Sequence, residues 1–89
     1  MRVVISVIGQ DRVGIIAMVS GMLAQNQINI LNINQNIMDG YFNMVTIADM
    51  GKSTIDLQTF QSLMKEKGAE YGVEIKVQHE DIFKAMHRI

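Results

Sequence analysis

After Arg2, the chain is apolar at every position to Ile8 except Ser6. A run that is apolar on both phases of the pleat predicts a central strand over residues 2–8, covered on both sides or covered on one and half-buried on the other. The period then changes. From about Val13 to Gln25, the residues Ile15, Ile16, Met18, Val19, Met22 and Leu23 fall on one broad arc at helical spacing, and Ala17, Ser20, Gly21 and Ala24 make the opposite side small. Gln25, Asn26 and Gln27 end the helix. Residues 28–38 read as a second strand, with Ile28 and Ile30 on one side and Leu31, Ile33 and Ile37 on the other. That shift of phase predicts a bulge or twist near Leu31. Asparagines at 29, 32, 34 and 36 are poor strand formers, so this strand suits a sheet edge or a polar side that meets a partner.

Asp39 and Gly40 predict a two-residue primed hairpin turn, after which Tyr41 to Ala48 returns as a third strand. Asp49 to Lys52 is a loop. Ser53 is expected to cap a second helix, with Asp56 beside its first-turn N–H groups. Leu57, Phe60, Leu63 and Met64 form its apolar stripe, Lys65 and Lys67 suit its last turn, and Gly68 or Gly72 stops it. Val73 to Gln78 alternates apolar and polar, a strand with one wet face. In the tail, Glu80 to Ile89, Ile82, Phe83, Met86 and Ile89 share one helical face. The order implies an α+β, ferredoxin-like βαββαβ sandwich over residues 1–79: a four-stranded antiparallel sheet with two helices on one face, plus the helical tail at 80–89. The first and third strands should be central and the second an edge. The open sheet face carries Val4, Ser6 and Ile8, so the tail or a second subunit is expected to cover it.

Composition narrows the function classes. The chain has 89 residues, enough for one small domain with a thin core, for which oligomerisation is a reasonable expectation. Eight basic and nine acidic side chains leave a net charge of −1, with no basic cluster of the kind that binds nucleic acid or a membrane surface. The chain has no cysteine, which removes disulfides, thiolate chemistry and cysteine zinc sites and is compatible with the cytoplasm, its expected location. The longest uninterrupted apolar run, Ile15 to Val19, is far too short to span a bilayer. The apolar N-terminal run reads as a strand rather than a signal peptide. The eight methionines read mainly as core filler.

The candidate chemistry lies between the first strand and the first helix, in Gly9, Gln10, Asp11, Arg12, Val13 and Gly14. A glycine at each end permits a tight turn and close approach of a ligand. Asp11 can cap the helix, and the first free N–H groups then face whatever sits above the loop. Arg12 can clamp a carboxylate, or face solvent, or pair with an acid across a subunit seam. Gly14 equally suits tight packing of helix on strand. Asn29 offers a donor and an acceptor to a zwitterion, or is simply a turn residue; the inferred fold places it opposite the loop. His79, Glu80 and Asp81, with His87 beyond, could be drawn as a metal site, but neighbours on an extended chain point apart, and Glu80 and Asp81 read better as first-turn residues of the tail helix. No Ser-His-Asp or phosphate-loop pattern is present, and neither an enzyme nor a cofactor is expected.

The six-residue loop, the helix ending at Ala24 that leads to Ile28, Asn29 and Ile30, and the strand order together resemble an ACT domain over residues 1 to about 78. The tail from Ile82 to Ile89 is similar to the end of a small bacterial family of stand-alone ACT-domain proteins. The resemblance implies a regulatory module that binds an amino acid, in a homodimer or higher homo-oligomer with effector sites between subunits. It marks Asp11, Arg12, Gly14, Asn29 and Ile30, so the candidate ligand-binding set is Gln10, Asp11, Arg12, Val13 and Gly14 with Asn29 and Ile30. Val13 stands where many relatives have proline, which leaves the helix start less pre-organised. With no output domain on the chain, the signal would pass to a separate partner, such as a metabolic enzyme. The alternative expectation is a ligand-free oligomeric adaptor that uses the open sheet face and the tail.

Overall fold

β1 (Arg2–Gln10) is the element around which the sheet is assembled. It pairs antiparallel with β3 (Tyr41–Asp49) on one side and with β4 (Val73–His79) on the other, and β2 (Asn29–Met38) pairs with β3. The order β2-β3-β1-β4 puts β1 and β3 in the centre and the Asn-rich β2 at an edge, as the pattern predicts. The helices among the described residues are α1 (Ile15–Gln25), α2 (Leu57–Glu70) and α3 (Glu80–Met86). The structure is a computed structural model that describes residues 1–86. The expectations for His87 and Ile89 lie outside the described residues.

Alternate β1 side chains face the helices. Val3, Ile5 and Val7 join Phe42, Met44 and Ala48 from β3, Val73, Ile75 and Val77 from β4, and Ile15, Val19, Leu23, Phe60 and Met64 from α1 and α2 in one buried cluster. The other β1 face is covered unevenly. Val4 is 2% exposed, whereas Ile8, further along the same face, is 54% exposed. α3 packs back across β1 and β4 at the Val4 end, tied by Arg2 to Glu80 (3.9 Å) and by Gln78 Nε2 donating to Met86 Sδ (3.4 Å). Among the described residues, α3 thus covers one end of the open face and leaves the other bare.

Several local expectations change. β1 extends two residues further than its apolar run, with Gly9 opposite both Phe42 and Val73. A Cβ on Gly9 would stand 2.7 Å from Val73 Cγ1 and 2.9 Å from Val73 Cα, so this glycine allows two strands to close rather than hinging a loop. The predicted irregularity in β2 lies between Ile30 and Asn32. It absorbs the phase change, so Ile30, Ile33 and Ile37 pair with Ala48, Thr46 and Phe42 on the helix side, not on opposite sides of the sheet. Asn32, Asn34 and Asn36 pair with Ile47, Val45 and Asn43 on the open face. The hairpin turn is primed, with φ of 53° at Asp39 and 80° at Gly40. Asp56, not Ser53, caps α2: its carboxylate accepts from the Thr59 N–H at 2.8 Å, while Ser53 Oγ accepts from Ile55 N–H at 3.4 Å in the preceding turn. α2 runs through Gly68 and stops at Gly72, whose φ of 71° needs a glycine.

Candidate functional site

The corner that follows β1 consists of Asp11, Arg12, Val13 and Gly14, all exposed. The Asp11 N–H donates to the Gly40 carbonyl at 2.8 Å, which ties the corner to the β2–β3 hairpin. Asp11 does not cap α1. The cap position belongs to Gly14, at φ 93°, and no side chain bonds the helix start. The left-handed backbone at Gly14 explains the glycine and also replaces the extended conformation in which an Asp or Ser cap normally works. α1 has no acidic residue in its first turn. The N–H groups at its start therefore remain without a side-chain acceptor, beside the positive end of the helix dipole.

Arg12 lies over the ring of Tyr71, its guanidinium carbon 5.6 Å from the ring centre. Among the described residues it makes no ion pair. Tyr71 also flanks Gly14: a Cβ built there would stand 3.8 Å from Tyr71 Cε2. The tyrosine was not among the candidate residues. Its only sequence signal was its place at the end of α2, next to the strand that pairs with β1. Val13 is 96% exposed and contributes an apolar rim. Gln10 is the last β1 residue, opposite Tyr41, and is exposed. The corner thus presents uncompensated backbone donors and one cation, suited to a carboxylate or a similar small anion.

Asn29 and Ile30 are not beside this corner. Asn29 pairs with Asp49, which also pairs with Arg2, so Asn29 lies at the end of the sheet where β1 begins. β1 then runs on to Gln10, roughly 26 Å away at the usual rise of a strand. The inferred fold had set Asn29 opposite the loop. In the structure α1 carries the chain back alongside β1, and β2 starts where β1 started. Asn29 lines an open depression of ≈ 560 Å³ with Ala24, Gln27, Ile28, Asp49 and Lys52. Lys52 and Asp49 give that depression a charge of each sign, which the strand pattern had not marked. Ile30 is half-buried against the core. Within one chain, therefore, the structure groups Gln10 to Gly14 together and places Asn29 and Ile30 elsewhere.

At the β4–α3 junction, His79 Nδ1 accepts from the Asp81 N–H at 3.1 Å and lies 3.7 Å from the Asp81 carboxylate. Glu80 is paired with Lys84 at 3.5 Å and with Arg2. Both acids lie in the first turn of α3. Among the described residues no group of three or more His, Asp or Glu side chains is placed to hold a metal ion. No described helix is long and apolar enough to cross a membrane.

Residues 1–78 match the ACT domain family. The chain is similar to a UPF0237 protein of Clostridium perfringens, 52% identical over 89 residues and covering 100% of both chains. It is also similar to a UPF0237 protein of Methanocaldococcus jannaschii, 52% identical over 88 residues, 99% of this chain and 98% of that one. The second relative is archaeal, so the group is wider than the bacterial family expected from the tail. Among solved structures, an ACT domain protein from Streptococcus pneumoniae superposes with a TM-score of 0.83 at 33% identity, covering 98% of each chain. The chain belongs to the ACT domain family of regulatory ligand-binding modules, and within it to the UPF0237 group.

Proposed function

We propose that this protein senses a small zwitterion, an amino acid in the first instance, at the seam of a homodimer and passes the signal to a separate partner such as a metabolic enzyme. The observation that carries the reading is the start of α1, which has neither a side-chain cap nor a first-turn acid and lies beside Arg12. The N–H groups there and Arg12 would hold the carboxylate, while Asp11 and Asn29 would hold the ammonium group. Since Asn29 is at the far end of its own sheet, the two halves would meet only between copies. β2 provides the means: an uncharged ten-residue edge, exposed at every position except the half-buried Ile30. Two such edges paired antiparallel set the start of one against the end of the other, which carries Asn29 of the partner subunit toward the hairpin that holds Asp11. No catalytic step is assigned to the chain.

A melting screen across the amino acids at millimolar concentration tests this. A ligand at about 100 times its Kd should add roughly 2.7 kcal/mol to stability. If no amino acid raises the melting temperature, the reading fails for that class. The adaptor reading is favoured by one observation, the exposure of Ile82 (55%) and Met86 (65%) on α3 together with that of Ile8 (54%) further along the sheet. Removing residues 80–89 should then change the sedimentation of the protein; an unchanged profile removes the tail from that role.

A further inference from the structure

The binding corner has only one side chain able to carry a positive charge to an anion, Arg12, and that side chain is on a four-residue exposed loop. A long side chain in such a place ordinarily samples many rotamers, and each bound anion must bear the entropy of ordering it. Here the guanidinium already has a seat. Its carbon is 5.6 Å from the centre of the Tyr71 ring. Tyr71 is itself well placed to act as a fixed platform. It is the C-terminal cap residue of α2, its N–H bonds the Gly68 carbonyl at 3.0 Å, and its side chain packs against the buried core cluster. The same ring lies beside Gly14, the residue from which α1 starts. One aromatic ring therefore lies beside both contributions to the anion site, the cation and the turn that presents the backbone donors.

We propose that Tyr71 is the positioning residue of the ligand corner: its ring holds the Arg12 guanidinium beside the start of α1, so that a carboxylate meets a pre-ordered cation. The proposal rests on the reading of that corner as an anion-recognition site. Only the ring face is needed, since the attraction comes from the aromatic quadrupole and the phenol oxygen has no part in it. Phenylalanine should therefore substitute and leucine should not. Lysine at position 12 keeps the charge and part of the attraction to the ring but loses the flat guanidinium that stacks.

The test uses the full chain and sodium acetate as the probe, at constant ionic strength, followed by NMR. In the free protein, the ring current of Tyr71 should move the Arg12 δ-methylene protons upfield. That shift should persist in Tyr71→Phe and vanish in Tyr71→Leu. Acetate should then perturb the Arg12 side chain and the amides of Ile15 and Ile16 in a saturable way. Tyr71→Leu and Arg12→Lys should each weaken acetate binding, Tyr71→Leu by roughly three- to fivefold. Tyr71→Phe should stay within about twofold, and the Tyr71→Leu/Arg12→Lys double variant should lose less than the product of the two single losses, because both substitutions weaken one interaction. Unchanged amide dispersion of the variants away from the corner shows that they remain folded; Tyr71→Phe and Arg12→Lys carry the test if Tyr71→Leu does not. The positioning role is overturned if the ring-current shift is absent from the wild type, if Tyr71→Phe weakens binding as much as Tyr71→Leu, or if the losses in the double variant add. If wild-type protein shows the ring-current shift but no acetate response, the anion-site reading fails, and the proposal with it.

Discussion

The two edges of this sheet are finished in different ways. β4 alternates strictly, with Val73, Ile75 and Val77 buried and Glu74 and Lys76 exposed. α2 lies along it so closely that a Cβ on Gly68 would be 2.8 Å from the Val73 carbonyl. Charges on one face and a helix on the other are the usual means by which an edge is closed to further strands. β2 has neither. It is longer, carries no charged residue, and leaves Ile33 and Ile37 largely exposed on the helix-side face where they should be buried. Stability and association thus divide between the two edges: the β4 half is held by its own core, while the β2 half is suited to completion by something else.

Removing the core of the closed half has the largest expected effect. Phe60, fully buried in α2, should cost about 3–5 kcal/mol on replacement by alanine, read from denaturant unfolding. A loss below about 1 kcal/mol would mean that the α2–β4 half is not the stable one. Nearer to β2, Thr46 is 1% exposed, faces the helices between Ile5 and Ile33, and its hydroxyl has no hydrogen-bond partner among the described residues. Thr46→Val removes that unpaired group and should raise stability by about 1 kcal/mol. A loss instead would show that the hydroxyl is satisfied in solution.

On the open edge, Asn34→Lys should change the stability of the separate domain by less than about 0.5 kcal/mol, because the site is exposed. It should nevertheless convert a dimer into a monomer in sedimentation, since a charge on an edge strand opposes pairing. A dimer that survives the substitution places the seam elsewhere. The smallest effect belongs to the start of α2. Hydrogen bonds to Asp56 from Thr59, side chain first and then backbone, hold its carboxyl below the ordinary value of 3.8. A lowered folded pKa gives a contribution that is present above the unfolded pKa and is lost as pH falls through the folded one. The melting difference between wild type and Asp56→Asn should therefore be constant at neutral pH and shrink in acid, below about pH 3.8. A difference independent of pH would mean that the charge does not contribute.

Much of the comparison between edges was legible along the chain. The asparagines and the broken phase of β2 gave an edge with a bulge, and the alternation from Val73 to Gln78 gave a strand with one wet face. Asp39 and Gly40 gave the turn because a primed turn demands positive φ at both positions. The site was less legible. The backbone conformation of Gly14 decides that Asp11 cannot cap α1, and a residue sequence does not state a left-handed φ. Gly9 looked like a loop hinge because the approach of Val73 depends on a strand from the other end of the chain. The pairing of Arg12 with Tyr71 has the same origin and leaves no periodic trace. The order of elements does not by itself place Asn29 beside the loop, because α1 returns the backbone to the opposite end of the sheet.

The central claim is that the ligand corner of one copy is completed by Asn29 of another. It is tested most directly by mixing two defective variants. The amino acid with the largest effect in the melting screen would be titrated into Arg12→Ala, into Asn29→Ala, and into an equimolar mixture of the two after reversible unfolding and reassembly. In a mixed dimer, one seam receives both substitutions and the other receives neither. The account predicts that each variant alone fails to bind and that the mixture regains wild-type affinity at a fraction of its sites. A mixture that binds no better than its two components would contradict it.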